Sequence, residues 1–349
     1  MRVYENVPLA SWTSLRVGGS AARVVAVDRE DEVGDAVRTS AEGAGTLVVL
    51  GDGTNVIVGD GGLSGTVLRV DIRGVDVQRD GDRVLVDVGA GEPWDGFVEF
   101  VVGERWRGIE SLSGIPGRTG ATPIQNVGAY GWEVGETIAT VRAFDRIEKV
   151  LIDIPAQDCH FGYRASLFKQ TDRYIVTRVS FVLDAGTQSS VRYAELARAL
   201  GVAQGGSAPV AGVRAAVLGL RREKGMLVDP SDPESASAGS FFMNPVVDGA
   251  TLSRVAARAG EAPSYFKVDG GRYKLAAAWL VERSGFAKGW QKGRVGVSRK
   301  HSLALVNRGG ATASEIVAVA RQIRDGVRSR FGVELEPEPV FLGCSWNAP

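Results

Sequence analysis

Two glycine-rich segments that follow apolar runs constrain the fold of this chain more than any other feature. The first, Gly51-Asp52-Gly53-Thr54-Asn55, comes directly after a predicted buried strand at 46–50. The second, residues 114–131, is long, rich in glycine and small residues, and contains two prolines. This second segment shows neither helical nor strand periodicity. A long irregular stretch inside a compact domain is usually functional or disordered. Its apolar and amide residues argue against disorder, so we expect it to carry function.

The glycine segments do not form a Rossmann dinucleotide motif. Gly51-Asp52-Gly53 begins the Gly-x-Gly-x-x-Gly pattern, but Val56 stands where the third glycine belongs, and no helix follows. No Walker-type phosphate loop is present either. Backbone N–H groups of such loops could still cradle a diphosphate without a Rossmann helix. The alternative is that both segments are ordinary tight turns.

Composition and charge narrow the class of protein. The 349 residues suffice for two or three domains. The 41 basic residues equal the 41 acidic residues, which argues against a nucleic-acid-binding protein. With two histidines, and with Cys159 and His160 adjacent, a metal site is not expected. Instead, Cys159 is expected to be a core cysteine beside a histidine at a strand end.

The location of the protein is predicted from what its sequence lacks. The two cysteines, Cys159 and Cys344, form no disulfide framework and fit a reducing compartment. No apolar run reaches the length of a membrane helix, and residues 1–10 have no signal-peptide core. These features predict a soluble, cytoplasmic protein.

Periodicity predicts alternating strands and helices. A helix at 314–331 has the clearest signals, because Thr312 and Glu315 match a capping box and Gly332 is a natural C-cap. Other helices are predicted at 31–41, 93–102 and 274–283, with a helical region at 194–224. Strands are predicted at 22–27, 46–50, 65–70, 83–88, 137–144, 150–154, 174–183, 302–307 and 333–342.

Seven segments, in order along almost the whole chain, resemble one family, the UDP-N-acetylenolpyruvoylglucosamine reductases (MurB). The segments are 6–9 with 13–19, 50–55, 114–131, 161–169, 239–245, 274–277 and 335–338. One such match would be weak, whereas seven in the right order are specific. Tyr193 resembles the substrate-loop tyrosine of the type I form of this family.

The resemblance implies an α+β, three-domain flavoprotein. Residues 1–70 and 71–222 would form the two subdomains of an FAD-binding region of the vanillyl-alcohol-oxidase (PCMH) type, with the substrate loop near Tyr193. Residues 223–334 would form a C-terminal α/β substrate-binding domain. The final strand, in 335–349, would return to the first subdomain.

The resemblance also implies an activity. It is the NADPH-dependent reduction of UDP-N-acetylglucosamine enolpyruvate to UDP-N-acetylmuramate through bound FAD, a step of peptidoglycan precursor synthesis. NADPH would reduce FAD and leave, and the UDP-sugar would then take its place and receive hydride at the enolpyruvyl terminal carbon. FAD is the expected bound cofactor, NADPH the co-substrate and the UDP-sugar the partner. Binding to nucleic acid, to a membrane or to a metal ion is not expected. The protein is expected to be a monomer.

Matching positions carry the implied roles. Arg164 would hold the substrate carboxylate, since a guanidinium forms a bidentate fork. Ser240 would donate the proton, and Glu338 would be the second acidic residue, protonated or paired with Arg164. The substrate-binding candidates are Tyr163, Tyr193, Lys224, Asn244 and Gln291. The cofactor-binding candidates are Gly51, Gly53, Thr54, Asn55, Gly114, Ile115, Pro116, Gly117, Gly120, Ala121, Gln125, Asn126, Gly128, Ala129 and Tyr130.

Some positions depart from the family pattern. Met243 stands where many members have Lys, and Ser298 where His is frequent. The segment that begins at Lys224 is longer than the common form. Two other functions stay open: a flavin oxidase of the same fold acting on a sugar or lactone, and a catalytically inactive nucleotide-sugar binding protein. Segments 239–245 and 335–338 disfavour the first, and the trio Arg164, Ser240 and Glu338 disfavours the second.

Overall fold

The computed structural model describes residues 1–41 and 46–347, which divide into two compact units. The first unit comprises Met1–Val7, Ala21–Asp52 and Ser64–Glu223, and the second comprises Pro8–Ser20, Gly53–Leu63 and Lys224–Pro349. The three-domain limits implied by the resemblance use other boundaries and stay a prediction. Residues 348 and 349 of its final segment lie outside the described residues.

Two larger sheets organise the first unit. A four-stranded sheet has the order Arg2–Pro8, Ser20–Val27, Leu63–Val70, Leu47–Val49. A six-stranded sheet has the order Val150–Pro155, Ile138–Asp145, Tyr174–Ala185, Arg83–Gly89, Val75–Asp80, and Trp106–Arg107 pairs with its central strand. Two antiparallel strand pairs complete the strands: the hairpin of Gly128–Ala129 with Trp132–Glu133, and Gln188–Ser190 with Ser207–Pro209.

The helices of the first unit cover these sheets. They are Asp31–Ala41, Trp94–Gly103, Ala194–Leu200 and Val210–Glu223, with short 3-10 turns at Glu110–Leu112, Thr119–Ala121, Val134–Glu136 and Ala156–Cys159. One core joins strand and helix residues, among them fully buried Trp94, Val86 and Phe181. A smaller cluster joins the last two helices through Leu196, Val213 and Val217.

The second unit has three small sheets and three α-helices. Val56–Val58 pairs in parallel with Val340–Leu342, so the chain end lies beside residues 56–58. The other strands are Val246–Val247, Arg272–Leu275 and Tyr265–Val268 in one sheet, and Gln291–Lys292, Val295–Val297 and Leu305–Asn307 in another. The helices are Gly249–Ala259, Ala277–Arg283 and Ala313–Phe331, with 3-10 turns at Leu9–Trp12 and Pro233–Ser235.

The strongest helix prediction is confirmed with its caps. Thr312 accepts a hydrogen bond from the N–H of Glu315, whose side chain accepts one from the N–H of Thr312. Gly332 ends the helix in the left-handed conformation. Buried Ile316, Ile323 and other residues of the same face form the core of the second unit.

Two predicted helices were too long. The helix predicted at 274–283 begins only at Ala277, because the preceding residues belong to strand Arg272–Leu275. The helical region at 194–224 is two helices, since Gly201 ends the first with a φ of +67° and strand Ser207–Pro209 intervenes. In the first case, strand pairing overrides the helix propensity of Lys274 and Leu275.

Two predicted strands were also too long. The final strand is only Val340–Leu342, because Pro337 and Pro339 cannot donate to a ladder. The strand predicted at 302–307 is Leu305–Asn307. Cys159 is buried as expected, and burial raises its thiol pKa to about 11. His160, however, follows a 3-10 turn and not a strand.

The described part of the chain contains no helix that is long and apolar enough to span a membrane.

Candidate active site

The 114–131 segment is less irregular than the sequence predicted. It contains the 3-10 turn Thr119–Ala121 and ends in a hairpin. Ala129 pairs with Trp132, which leaves Tyr130 and Gly131 as the two turn residues. Their φ values of +50° and +84° match a type I′ turn, the two-residue turn that suits strand twist. The segment is therefore a defined scaffold.

Charged side chains of the first unit hold the start of this segment from both sides. Asp95 accepts a hydrogen bond from the N–H of Gly114 at 2.5 Å and forms a bidentate pair with Arg214 at 2.6 and 3.1 Å. Arg221 donates to the carbonyl of Gly114 at 3.1 Å. Burial alone would raise the pKa of Asp95, but the bonds from Arg214 and Gly114 outweigh it and lower the pKa. Sequence reasoning missed Asp95 and Arg214.

The first glycine segment contains a turn that requires glycine. Gly53 has a φ of +59°, and a Cβ there would overlap the carbonyl oxygen of Trp12. The Ser14 N–H donates to the carbonyl of Gly53 at 3.1 Å. Next to this turn, the Asn55 carbonyl accepts from the N–H of Val340 at 3.0 Å.

These loops fit the phosphate part of a flavin cofactor. Among residues 1–41 and 46–347, no protein group accepts a hydrogen bond from the N–H of Gly51 or Asp52. Free backbone donors in a glycine turn are the groups that bind a diphosphate. Gly120 lies so close to Ala90 that a Cβ would overlap it, so a larger residue is excluded at this cofactor candidate.

Arg164 lies beside the second glycine segment, within the first unit. Its guanidinium donates to the carbonyls of Gly128 at 2.9 Å and Asn126 at 3.4 Å. The same group lies 5.6 Å from the ring centroid of Tyr163, a cation–π distance. Arg164 has a φ of +52°, an unfavourable conformation for a non-glycine residue that is found preferentially at functional sites.

Further hydrogen bonds join these two stretches. The Asn126 amide donates to Glu133 at 2.6 Å and to the carbonyl of Gly162 at 3.0 Å. Ser166 donates to the carbonyl of Ile124 at 2.6 Å. The predicted catalytic arginine and the predicted cofactor residues Asn126 and Gly128 thus form one connected structure.

Tyr193 contacts Tyr130 at the end of the same segment. Their ring centroids are 5.7 Å apart at an interplanar angle of 83°. Burial raises the pKa of Tyr130 to about 12 and also raises that of Tyr193. Both phenols are therefore neutral hydrogen-bonding groups at neutral pH. The structure brings this substrate candidate against a cofactor candidate.

Ser240 and Glu338 lie on neighbouring stretches of the second unit. The Glu338 N–H donates to the carbonyl of Phe241 at 2.8 Å, and Met243 donates to the carbonyl of Glu336 at 3.0 Å. Ser240 itself forms a bridge with Ala304. The segment around Ser240 thus pairs with residues 336–338 and, at Ser240, with Ala304. Glu338 lies opposite Phe241, so the two predicted catalytic residues are offset by one position in this pairing.

An aromatic cluster supports the segment that follows Ser240. Phe241 and Phe242 are buried and contact each other at 5.1 Å between ring centroids. Trp346 lies 6.4 and 6.3 Å from their centroids, and Arg321 donates to its carbonyl at 3.1 Å. The chain end therefore contributes to the rigidity of the Ser240 segment.

The remaining substrate candidates are distributed over the second unit. The Asn244 side chain accepts from the N–H of Ala277 at 2.9 Å and so caps helix Ala277–Arg283. Gln291 is exposed and donates to the carbonyl of Gly293 at 2.7 Å. Lys224 directly follows helix Val210–Glu223.

A buried carboxylate that the sequence reasoning missed supports the strand beside Ser240. Glu234 accepts from the Ser298 hydroxyl at 2.7 Å and from the N–H of Arg299 at 2.8 Å, and it pairs with Arg308. Ser298, in turn, donates its N–H to the carbonyl of Ala304. The family departure at Ser298 therefore has a structural role in this chain.

Glu234 gives the protein a predictable response to acid. Burial alone would raise its pKa, but the bonds from Ser298, Arg308 and Arg299 outweigh burial and lower it. A lowered folded pKa stabilises the fold above the unfolded value of about 4.3, and this contribution is lost as pH falls below it. We expect Glu234→Gln to reduce the free energy of unfolding by about 3 kcal/mol at pH 7, and by less in acid. Urea unfolding at pH 7 and at pH 3, well below the unfolded pKa, measures both.

The matched control for that measurement is Glu261→Gln. Glu261 is an exposed carboxylate of the same unit that pairs with Arg283. Its replacement should change the free energy of unfolding little at either pH, since exposed pairs contribute little. An equal loss in both variants would contradict the role of Glu234.

Comparison with known proteins identifies the family. Residues 21–150 match the FAD binding domain family, and residues 230–342 match the UDP-N-acetylenolpyruvoylglucosamine reductase C-terminal domain. A UDP-N-acetylenolpyruvoylglucosamine reductase of Thermobifida fusca is 48% identical over 349 residues, covering 97% of this chain and 98% of the relative. One of Salinispora arenicola is 50% identical over 345 residues, covering 97% and 95%. The chain belongs to the UDP-N-acetylenolpyruvoylglucosamine reductase family.

A solved structure supports the fold. The UDP-N-acetylenolpyruvylglucosamine reductase (MurB) from Thermus caldophilus matches 98% of this chain and 99% of its own with a TM-score of 0.68 at 24% identity. The predicted family and the α+β class, an FAD-binding region followed by a reductase-type C-terminal domain, are confirmed. The roles of the individual site residues stay predictions.

Metal chemistry finds no support in the described residues. No group of three or more His, Cys, Asp and Glu side chains lies where it could hold a metal ion. The glycine segments, by contrast, lie within the matched FAD binding domain, since residues 51–55 and 114–131 fall inside 21–150. The cofactor of this family member is therefore FAD.

Proposed function

We propose that this protein reduces UDP-N-acetylglucosamine enolpyruvate to UDP-N-acetylmuramate with NADPH, through bound FAD, in peptidoglycan precursor synthesis. The observation that carries the proposal is the near-full-length membership of the reductase family, with 97% of the chain covered at 48% identity. The paired Ser240 and Glu338 segments supply the chemistry expected of it.

Arg164 stabilises the charge that develops during the reduction. Bound FAD would supply the hydride chemistry between NADPH and the enolpyruvyl group. Reduction at the terminal carbon pushes electrons onto the substrate carboxylate, and catalysis requires donors where that charge develops. A guanidinium stays protonated and offers parallel N–H groups to both carboxylate oxygens. The backbone carbonyls of Asn126 and Gly128 hold this guanidinium in place.

Ser240 supplies the proton to the carbon that bears the lactyl oxygen. A serine hydroxyl is a weak acid, so it needs a fixed position and a hydrogen-bonding partner. The bridge to Ala304 and the glycine turn at Gly239, with a φ of +74°, fix its backbone. Glu338, on the neighbouring stretch, is the second acidic residue of the proposed site.

Binding residues complete the proposed site. Lys224 and Tyr193 contact the diphosphate of the UDP-sugar, and Tyr163, Asn244 and Gln291 contact its nucleotide or sugar groups. NADPH and the UDP-sugar take turns at the same place, which agrees with the absence of a Rossmann motif from the sequence. The protein works as a monomer in the cytoplasm.

A visible absorption spectrum under anaerobic conditions tests the proposal. We expect the purified protein to show flavin bands that bleach with NADPH and return with UDP-N-acetylglucosamine enolpyruvate. A yellow protein that bleaches but is not reoxidised by this sugar would disprove the substrate. Oxygen consumption with a sugar alcohol would favour the alternative oxidase, and failure to bind added FAD would disprove the flavoenzyme.

A further inference from the structure

A chain of alternating charges connects the two glycine segments within the first unit. The Arg118 Nε donates to the Asp52 carboxylate at 2.6 Å. The same guanidinium donates to the carbonyl of Gly91 and lies 4.0 Å from Asp71. The Arg69 guanidinium contacts both carboxylates, at 2.8 Å to Asp71 and 3.4 Å to Asp52.

The central pair of this chain is partly shielded from solvent. The Arg118 side chain is 12% exposed and that of Asp52 is 33% exposed. A charge-assisted hydrogen bond of this length between partly buried groups is stronger than a surface ion pair. It joins residue 52 of the first glycine segment to residue 118 of the second across 66 positions of sequence.

Asp52 poses an electrostatic problem at its position. Among the described residues, no protein group accepts from its own N–H or from that of Gly51, so both can donate to a cofactor diphosphate. A carboxylate on the same turn would repel that diphosphate, because like charges at close range are destabilising. A cation bonded directly to the carboxylate removes most of the repulsion. The Arg118 side chain is also in van der Waals range of Gly51, 3.6 Å from the position of a Cβ there.

We propose that Arg118 is a positioning residue for FAD, because its pair with Asp52 neutralises the carboxylate beside the cofactor diphosphate. This inference rests on the proposed function, because it requires that FAD binds at these segments. It assigns roles to two side chains, Asp52 and Arg118, that the family resemblance did not single out.

A double-mutant cycle on FAD affinity tests the inference. The Kd of FAD for the apo-protein is measured by quenching of flavin fluorescence for wild type, Arg118→Met, Asp52→Asn and the double variant. Arg118→Met should raise the Kd about 30-fold or more, because it leaves the Asp52 carboxylate with only the longer contact to Arg69 at 3.4 Å. Asp52→Asn should change it little. The double variant should resemble Asp52→Asn, since a neutral amide at this position needs no cation.

The control is Arg38→Met, which removes an exposed arginine that pairs with Asp35 on helix Asp31–Ala41. Its Kd should equal that of wild type. A folded Arg118→Met with wild-type affinity, or a double variant as weak as Arg118→Met, would overturn the inference. If Arg118→Met does not fold, the comparison of the double variant with Asp52→Asn decides, because unequal affinities would overturn it. Failure of wild type to bind FAD would instead overturn the proposed function.

Discussion

Replacing Ser240 by alanine is expected to slow reoxidation of the reduced flavin by the enolpyruvyl sugar about 10²–10⁴-fold, the usual contribution of a positioned proton donor. Reduction of the flavin by NADPH should keep its wild-type rate. The two half-reactions separate because only the second one requires a proton at carbon. Stopped-flow absorbance at the flavin band measures each half-reaction in turn.

The structure makes this substitution a clean test. The Ser240 backbone is held by the bridge to Ala304, and the buried rings of Phe241 and Phe242 follow it. Removing one hydroxyl leaves these contacts in place. Far-UV circular dichroism and the thermal midpoint should therefore match those of wild type. The wild-type reoxidation should also be slower in deuterated water, as expected when the transferred proton comes from an exchangeable hydroxyl.

Ser253→Ala provides the control. Ser253 lies on helix Gly249–Ala259 of the same unit, and its hydroxyl donates to the carbonyl of Gly249 at 2.9 Å. Its replacement should leave both half-reactions unchanged. Equal loss of both half-reactions in Ser240→Ala would indicate a structural role for Ser240, and full turnover would remove it from the mechanism.

Local chemistry accounts for the parts of the fold that the sequence predicted well. The helix that ends at Phe331 was predicted with its caps because Thr312, Glu315 and Gly332 act within a few residues of the helix ends. The short final strand could also have been foreseen, since Pro337 and Pro339 are visible in the sequence. The prediction at 274–283 failed because the pairing of Lys274 with Phe266 and Val246 is a tertiary contact.

The site divides in the same way. Both glycine segments can be recognised in the sequence. A turn at Gly53 is expected because glycine adopts the positive φ that is found there. The hydrogen bond from Gly114 to Asp95 and the pairing of Asp95 with Arg214 could not be predicted from the sequence. Asp95 and Arg214 are 119 residues apart, and neither belongs to a motif. The proximity of Ser240 and Glu338 was likewise expected only through family resemblance, since no pattern relates residues so distant in sequence.

Replacing Arg164 by methionine is expected to lower the rate of enolpyruvyl reduction about 10²–10³-fold, the typical effect of removing one donor to a developing oxyanion. Arg164→Lys should recover only a small part of this loss, because an ammonium keeps the charge but cannot form the bidentate fork. Flavin reduction by NADPH should be largely retained in both variants. Single-turnover reoxidation at saturating sugar measures the loss.

A second role of Arg164 has to be separated from the first. Its guanidinium also binds the carbonyls of Asn126 and Gly128, so the variants could loosen the cofactor segment. The Kd of FAD, measured alongside, distinguishes the roles. A rate loss with unchanged Kd places Arg164 at the substrate, whereas a weakened Kd with a normal rate at saturating FAD makes it a cofactor-positioning residue only. Arg79→Met, which removes an exposed arginine paired with Glu104, is the control.

The backbone of Arg164 offers an independent check on its function. Glycine adopts a φ of +52° without the strain that arginine bears there. Arg164→Gly should therefore be at least as stable in urea as Arg164→Met, while it is equally impaired in enolpyruvyl reduction. That combination would show that the strained conformation is retained for the guanidinium. A markedly less stable glycine variant would mean that the arginine side chain stabilises the fold enough to explain its presence.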